Sequence, residues 1–420
     1  MKELRVLLIA ENASERMGGE AIIPLQYFRF LKKRGVFVKL LTHERVKEEL
    51  SETLKSSFED VHFVRDTFAQ ETIHFLGRHL TRRSKTISTG FLIDMSSGIR
   101  QRKIARELVK KFRINVVHQP IPVSPKLPSF IFDVGAPVII GPMNGGMKFP
   151  SAFRSLEPLA ERILYAIGKI LAPAVNCLIP GKRKASLLLI ANERTRKALP
   201  GKIETPIGFL TENGVDLTQW NTHGHERREL SARPIFVYVG ALIGLKGVQF
   251  LLQAVKQVLK TTDIDLEIIG DGPEAPHLRE LARQLSIEDH VRFLGFKPHS
   301  ECPELVARSR ALVLPSLYEC GGAVVLEALA LGVPVVATKW GGPAEYLNEK
   351  SGILVEPTSQ EAFVDGLSKA ILSLAQDRAL AERLGRNGKS EVIKSYDWVT
   401  KVQVIMDHYA RVERAVRAGR

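Results

Sequence analysis

The chain has 420 residues, too many for one ordinary domain and enough for two of roughly 150–200 residues each. A composition of 45% hydrophobic and 25% charged residues excludes a disordered or fibrous polypeptide. The net charge of +14 is one-sided: residues 1–210 carry 35 Lys and Arg against 19 Asp and Glu, a balance of +16, whereas residues 211–420 carry 25 against 27, a balance of −2. An excess of that kind attracts polyanions such as anionic lipid headgroups, nucleic acid or a phosphorylated substrate.

The first apolar run, residues 4–9 (LRVLLI), has the length of a buried parallel strand. No small-residue cleavage site follows it, so no signal peptide is expected. Gly18 and Gly19 precede a helical pattern over 20–34, which Gly35 stops before a strand over 36–41. A basic amphipathic helix over 97–112 leads into a strand over 114–118. Further strands are expected over 137–140, ending in the loop GPMNGGM, and over 186–191. The mostly apolar stretch 163–179 is interrupted by Lys169 and Pro173 and is too short and polar to span a bilayer. A polar, glycine-containing stretch over 211–233 reads as an interdomain crossing.

Alternation then restarts. Strands are expected over 235–239, 266–269, 291–294, 311–314 and 334–337, with helices over 248–260, 275–285, 301–309 and 323–331. Two strand–helix series joined by a crossing predict an α/β chain of two Rossmann-like domains, with the ligand cleft beyond the carboxyl ends of the strands. The three cysteines, Cys177, Cys302 and Cys320, are widely spaced with no C-x-x-C pair, which excludes a disulfide framework or a zinc ribbon and suits a reducing cytoplasm.

The loops after strands are therefore the places to look. Gly240 to Gly247 (GALIGLKG) is glycine-rich and holds Lys246, a point charge suited to a phosphate, just before a helix. Ile269-Gly270-Asp271-Gly272-Pro273 is a weaker glycine turn. The most informative stretch is LPSLYECGGAVVLEALALGVPVVAT, residues 314–338. A glycine-rich loop carries Glu319, a helix opens near Gly322 or Ala323, and Glu327 lies about one turn into that otherwise apolar helix. A lone carboxylate in such a helix is costly unless it is hydrogen-bonded. Two carboxylates eight positions apart are suited to the hydroxyls of a sugar nucleotide.

The spacing Glu319…Glu327 and the block around it resemble the hallmark of retaining nucleotide-sugar glycosyltransferases of the GT-B fold, family 4 or group 1. Further matches run in family order: Gly18-Gly19-Glu20, Asn213-Gly214-Val215-Asp216, the element Gly240…Gly247, Gly270-Asp271-Gly272-Pro273, Val291-Arg292-Phe293-Leu294-Gly295 and Gly341-Gly342-Pro343-Ala344-Glu345. Tyr396-Asp397-Trp398 resembles the point where such chains turn back with a final helix. The resemblance implies an N-terminal acceptor-side domain over 1–212, a nucleotide-sugar-binding domain over 213–395 and a helix over 396–420 packing on the first domain.

By the same resemblance, Lys246 neutralises the donor pyrophosphate, Glu327 holds the ribose hydroxyls and Glu319 faces the transferred sugar. Amides of Gly321, Gly322 and Ala323 face the sugar and phosphates, and Gly240 and Gly270 line the donor. Gly295, Phe296 and Lys297 meet the nucleobase, Gly18 and Gly19 close over the phosphates, and His118 stands near the acceptor. One departure stands out: Ala241 occupies the place of the family's arginine, so another base, Lys148 or Arg154 from the N-terminal domain, is expected to supply the second cation.

The implied reaction is a retaining, hexosyltransferase-type transfer from a UDP- or GDP-linked sugar to an acceptor hydroxyl, glycan or lipid-linked, with no cofactor and no metal. A cytoplasmic protein, peripheral on an anionic membrane, is the expected setting, with the run 78–85 (RHLTRRSK), including Arg82, Arg83 and Lys85, as one basic contact. No nucleic-acid module accompanies that run. Asp263-Ile264-Asp265 reads as a turn before a strand, and His223-Gly224-His225 lacks partners for a metal site. Other GT-B chemistry, an epimerase or a phosphorylase, and an inactive sugar-nucleotide-binding subunit are the alternatives.

Overall fold

The computed structural model describes residues 3–65, 89–157, 159–201, 203–220 and 233–418. The basic run 78–85 and His223-Gly224-His225 lie outside these residues. The chain divides into two units. The N-terminal unit comprises residues 1–146, 159–212 and 402–420, and the C-terminal unit comprises 147–158 and 213–401.

The N-terminal unit is built on a seven-stranded sheet in the order β3-β2-β1-β4-β5-β6-β7. Its strands are β1 (Arg5–Ile9), β2 (Phe37–His43), β3 (Val61–Val64), β4 (Val116–Gln119), β5 (Val138–Met143), β6 (Leu187–Ile190) and β7 (Ile207–Phe209). Every pairing is parallel. That explains why a strand such as β6 reads as an unbroken apolar run: helices cover both faces, so neither face alternates with polar residues. Leu7, Ile9, Val117, Ile140 and Leu188 are buried in the resulting core.

The C-terminal unit repeats the plan with six parallel strands in the order β10-β9-β8-β11-β12-β13. These are β8 (Ile235–Val239), β9 (Asp265–Ile269), β10 (Val291–Gly295), β11 (Ala311–Leu314), β12 (Val335–Thr338) and β13 (Gly352–Val355). β8 and β11 coincide with the sequence expectation, and the other expected strands shift by one to three residues at an end. Edge strands β3, β7 and β13, of three or four residues, are too short to stand out before their neighbours are known. The core runs from Phe236 and Leu251 through Leu312 and Val336 to Phe363 and Ile371. Phe153 joins it, packing edge-on against Phe250 and Phe363 at 5.3 and 5.7 Å between centroids. Residues 147–158 are thereby part of this unit.

In both sheets the strand order reverses beside the first strand, between β1 and β4 and between β8 and β11. Ligand crevices of open α/β sheets form beyond the carboxyl ends of strands at such a switch. The last helix, Trp398–Ala418, begins in the C-terminal unit and continues from residue 402 in the N-terminal one.

Candidate active site

At the switch of the C-terminal unit, the loop after β8 and the loop after β11 are joined by Leu317 N–H donating to Leu245 O at 2.9 Å. Gly247 sits at φ 69°, and a Cβ there would meet Pro315 O at 2.2 Å, so only glycine permits both the turn and this approach. The join brings Lys246 and Glu319 together: Lys246 Nζ donates to Glu319 Oε2, and the two side chains are 18% and 15% exposed. A pair this sheltered is screened less than a surface pair, and losing either member strands the other charge.

Glu319 is fixed from behind. Its carbonyl accepts from Gly342 N–H at 2.8 Å. Its charge also reaches Tyr238, whose hydroxyl is pushed far above the usual tyrosine range, by burial first and by Glu319 second. Gly322 follows at φ 78° as the N-cap of the helix Ala323–Ala330 and brings no side-chain cap, so the first amides of that helix are served by nothing on the cap residue. Next to these loops, Ser316 Oγ is buried with no hydrogen-bond partner among the described residues, and Thr338 Oγ1 at the end of β12 is in the same condition.

Glu327, five residues into the helix, is 16% exposed and lies 3.0 Å from His299 Nε2 in the loop after β10. The His299 ring meets Trp220 edge-on at 5.1 Å. Burial, then the charges of Glu327 and Glu301, pushes the Cys302 thiol up to about 11. His299 and Trp220 were not singled out in the sequence, since one histidine and one tryptophan at unrelated positions make no spacing signal. Gly240 and Gly270 directly follow β8 and β9, and Gly295 ends the adjacent β10. Gly270 N–H donates to Gly295 O at 2.8 Å, and a Cβ on Gly270 would stand 1.9 Å from Gly240 O. Phe296 is 73% exposed beside them, and Lys297 Nζ lies 3.8 Å from Glu301.

Lys148 and Arg154 belong to the C-terminal unit and not, as expected, to the N-terminal one. Trp340 Nε1 donates to Lys148 O at 2.8 Å, and the neighbouring Phe149 ring packs on Tyr318 at 5.4 Å. Lys148 is therefore held, exposed, beside the loop that carries Glu319.

Gly18 and Gly19 lie after β1 in the N-terminal unit, both at positive φ. His118 corrects the sequence expectation. It is fully buried in β4, with Nε2 2.6 Å from Gly141 O and Nδ1 2.6 Å from the Tyr409 hydroxyl. A carbonyl can only accept, so Nε2 carries the proton. Both nitrogens are committed to the fold, and His118 is a latch between the sheet and the last helix. Asp265 is likewise more than a turn residue: it opens β9 and pairs with Arg292 at 3.3 Å.

Residues 224–391 match the family described as glycosyl transferases group 1. The chain carries a glycosyl transferases group 1 domain. Within that domain fall Lys246, Glu319, Glu327 and His299. Glycogen synthase of Mycobacterium tuberculosis is 32% identical over 220 residues, 52% of this chain and 51% of that protein. The chain spans about half the length of the curated relatives it matches. Among solved structures, a glycosyltransferase from Rickettsia africae superposes with a TM-score of 0.67 at 17% identity, covering 97% of this chain and 98% of that one. HepE of Anabaena, solved in complex with UDP, gives a TM-score of 0.67 at 16% identity over 97% and 100%. These likenesses show the fold, GT-B with its two Rossmann-like domains around parallel sheets. Among the described residues, no three His, Cys, Asp or Glu side chains cluster as a metal site would need.

Proposed function

We propose that this chain is a retaining glycosyltransferase that moves a sugar from a nucleoside-diphosphate sugar to an acceptor hydroxyl without a bound divalent metal. The observation that carries the reading is the Lys246–Glu319 pair, held on the two loops that flank the switch of the group 1 domain. Negative charge develops on the departing diphosphate. Lys246 and the uncapped amides from Gly321 to Ala323 are the groups suited to meet it, and their effect grows as the bond breaks. Glu319, relieved of Lys246 by the diphosphate, would then hydrogen-bond the sugar. Glu327, oriented by His299, takes the ribose hydroxyls, while the loop Gly295 to Lys297 takes the base, with Phe296 available for stacking. Lys148 supplies the second cation that Ala241 does not. A phosphate oxygen of the leaving group takes the acceptor proton on the same face, so no separate base is assigned. The acceptor, a glycan or a lipid-linked sugar, is assigned to the basic N-terminal unit.

The test is a panel of UDP- and GDP-sugars with candidate acceptors, in the presence and absence of EDTA, with product configuration read by NMR. The expected product keeps the donor's anomeric configuration, and EDTA leaves the rate unchanged. Inversion, a metal requirement restored by Mg²⁺ or Mn²⁺, or donor binding with neither transfer nor hydrolysis would overturn the reading.

A further inference from the structure

The helix Leu159–Leu178 of the N-terminal unit presents an apolar face to solvent. Leu159, Ile163, Ile167, Ile170, Leu171 and Leu178 are each between 46% and 83% exposed. At 3.6 residues per turn they fall within about 120° of arc, one continuous stripe. The opposite side is the seated one. Ala172 and Asn176 are buried there, and Asn176 Nδ2 donates to Lys126 O and Ala172 O, both at 2.9 Å. Soluble monomers rarely expose contiguous apolar surface beyond a few hundred Å² without an interaction to explain it.

Charge indicates what covers this face. Arg162 and Lys169 are exposed on one flank of the helix, between the stripe and the seated side, and Arg183 folds back to donate to the Cys177 carbonyl at the helix end. Over residues 159–184 the sequence holds five basic residues, of which Lys182 is buried, against Glu161, within the half of the chain that carries all the excess positive charge. We propose that this helix docks the protein on an anionic bilayer, its apolar stripe at the acyl boundary and its basic flank among the phosphates. A helix of 20 residues is about 30 Å long, but Arg162 and Lys169 interrupt it, so it lies on the bilayer and does not cross it. Among the described residues no helix is long and apolar enough to span a membrane. A second copy of the chain is the competing occupant. Antiparallel isologous pairing through this stripe would set the same basic flank of each copy against the other, which charge disfavours.

The experiment uses the full chain with vesicles of phosphatidylcholine, alone or with phosphatidylglycerol, followed by co-sedimentation at rising salt. Binding is expected with the anionic vesicles and should weaken as salt screens the basic flank. Ile163→Asp with Ile170→Asp, both at exposed positions, should reduce it by about tenfold or more with an unchanged unfolding temperature. Arg162→Ala with Lys169→Ala should remove much of the salt dependence. The proposal is overturned if the wild type ignores anionic vesicles at low salt, if the Ile163/Ile170 variant binds as well as wild type, or if the stripe instead mediates a concentration-dependent dimer without vesicle binding. None of these readouts depends on the donor, so failure here leaves the transfer reading standing.

Discussion

In the N-terminal unit, the polar groups beside the β1–β4 switch tie the loops and strands of the fold together, whereas at the same point of the C-terminal unit they pair with one another and each keeps part of its surface in solvent. Glu49, 7% exposed, accepts from Ser14 Oγ at 2.6 Å and from the Glu15 amide at 2.7 Å, pinning the first loop. Glu20 ties that loop to the one after β4 by accepting from Val123 N–H at 3.0 Å, and His118 is buried between Gly141 and Tyr409. Against this, Lys246, Glu319, Glu327 and His299 all keep part of their surface, from 15% to 42%. One strand order thus supports two outcomes, because the scaffold fixes only where loops emerge and the residues on them decide what the crevice can do.

The comparison breaks most readily at Lys246. Lys246→Ala should lower turnover by about 10²–10³-fold, the scale of losing one electrostatic stabiliser of a transition state. His118→Ala should act on the other side of the contrast: stability falls by about 2–4 kcal/mol from the cavity and the stranded Tyr409 hydroxyl, while the folded fraction still binds nucleotide. Denaturant unfolding with nucleotide titration separates the two, and a large loss of turnover in fully folded His118→Ala would return that residue to the site.

Smaller effects sharpen the picture. With Glu327 holding the ribose as proposed, Glu327→Ala removes hydrogen bonds common to ground and transition states, so it should raise KM for the donor about tenfold with kcat nearly kept. His299→Ala, acting through Glu327, should raise KM by about threefold, again with kcat kept. Lys148→Ala should lower turnover by about tenfold, and Ala241→Arg should restore part of that loss. Equal rates for Lys148→Ala and wild type would remove Lys148 from the account.

A stability test on the N-terminal unit is independent of activity. Lys182 is 3% exposed, its Nζ donates to Pro125 O, and burial lowers its pKa from 10.5 to about 7. The unfolded chain holds that proton more tightly, so the contribution of Lys182 is fully present above pH 10.5 and is lost as pH falls toward about 7. Unfolding free energy should therefore rise with pH across that window, and Lys182→Met should flatten the slope. An unchanged slope would place the proton elsewhere.

Much of the frame was legible because buried parallel strands leave a direct mark. The runs that became β1, β8 and β11 need only local hydrophobicity to be seen, and the glycine loops after β8, β9 and β11 punctuate them. What required three dimensions was every partnership between distant residues. A strand-end histidine reads alike whether it faces a ligand or, as His118 does, a tyrosine 291 positions away. Residues 147–158 follow an N-terminal strand in sequence yet pack through Phe153 into the other unit's core. The stretch 163–179 was visibly apolar, but which face it buries depends on Asn176 finding the Lys126 carbonyl.

Whether the Lys246–Glu319 loops hold the donor diphosphate is decided by calorimetric titration of UDP and GDP into the full chain. Lys246→Ala should weaken binding of the preferred diphosphate by about tenfold or more. Glu319→Gln, which frees Lys246 from its carboxylate partner, should bind it at least as tightly as wild type while losing transfer. Unaltered affinity in Lys246→Ala, with Glu319→Gln also transferring at the wild-type rate, would contradict the account and make this pair a structural tie.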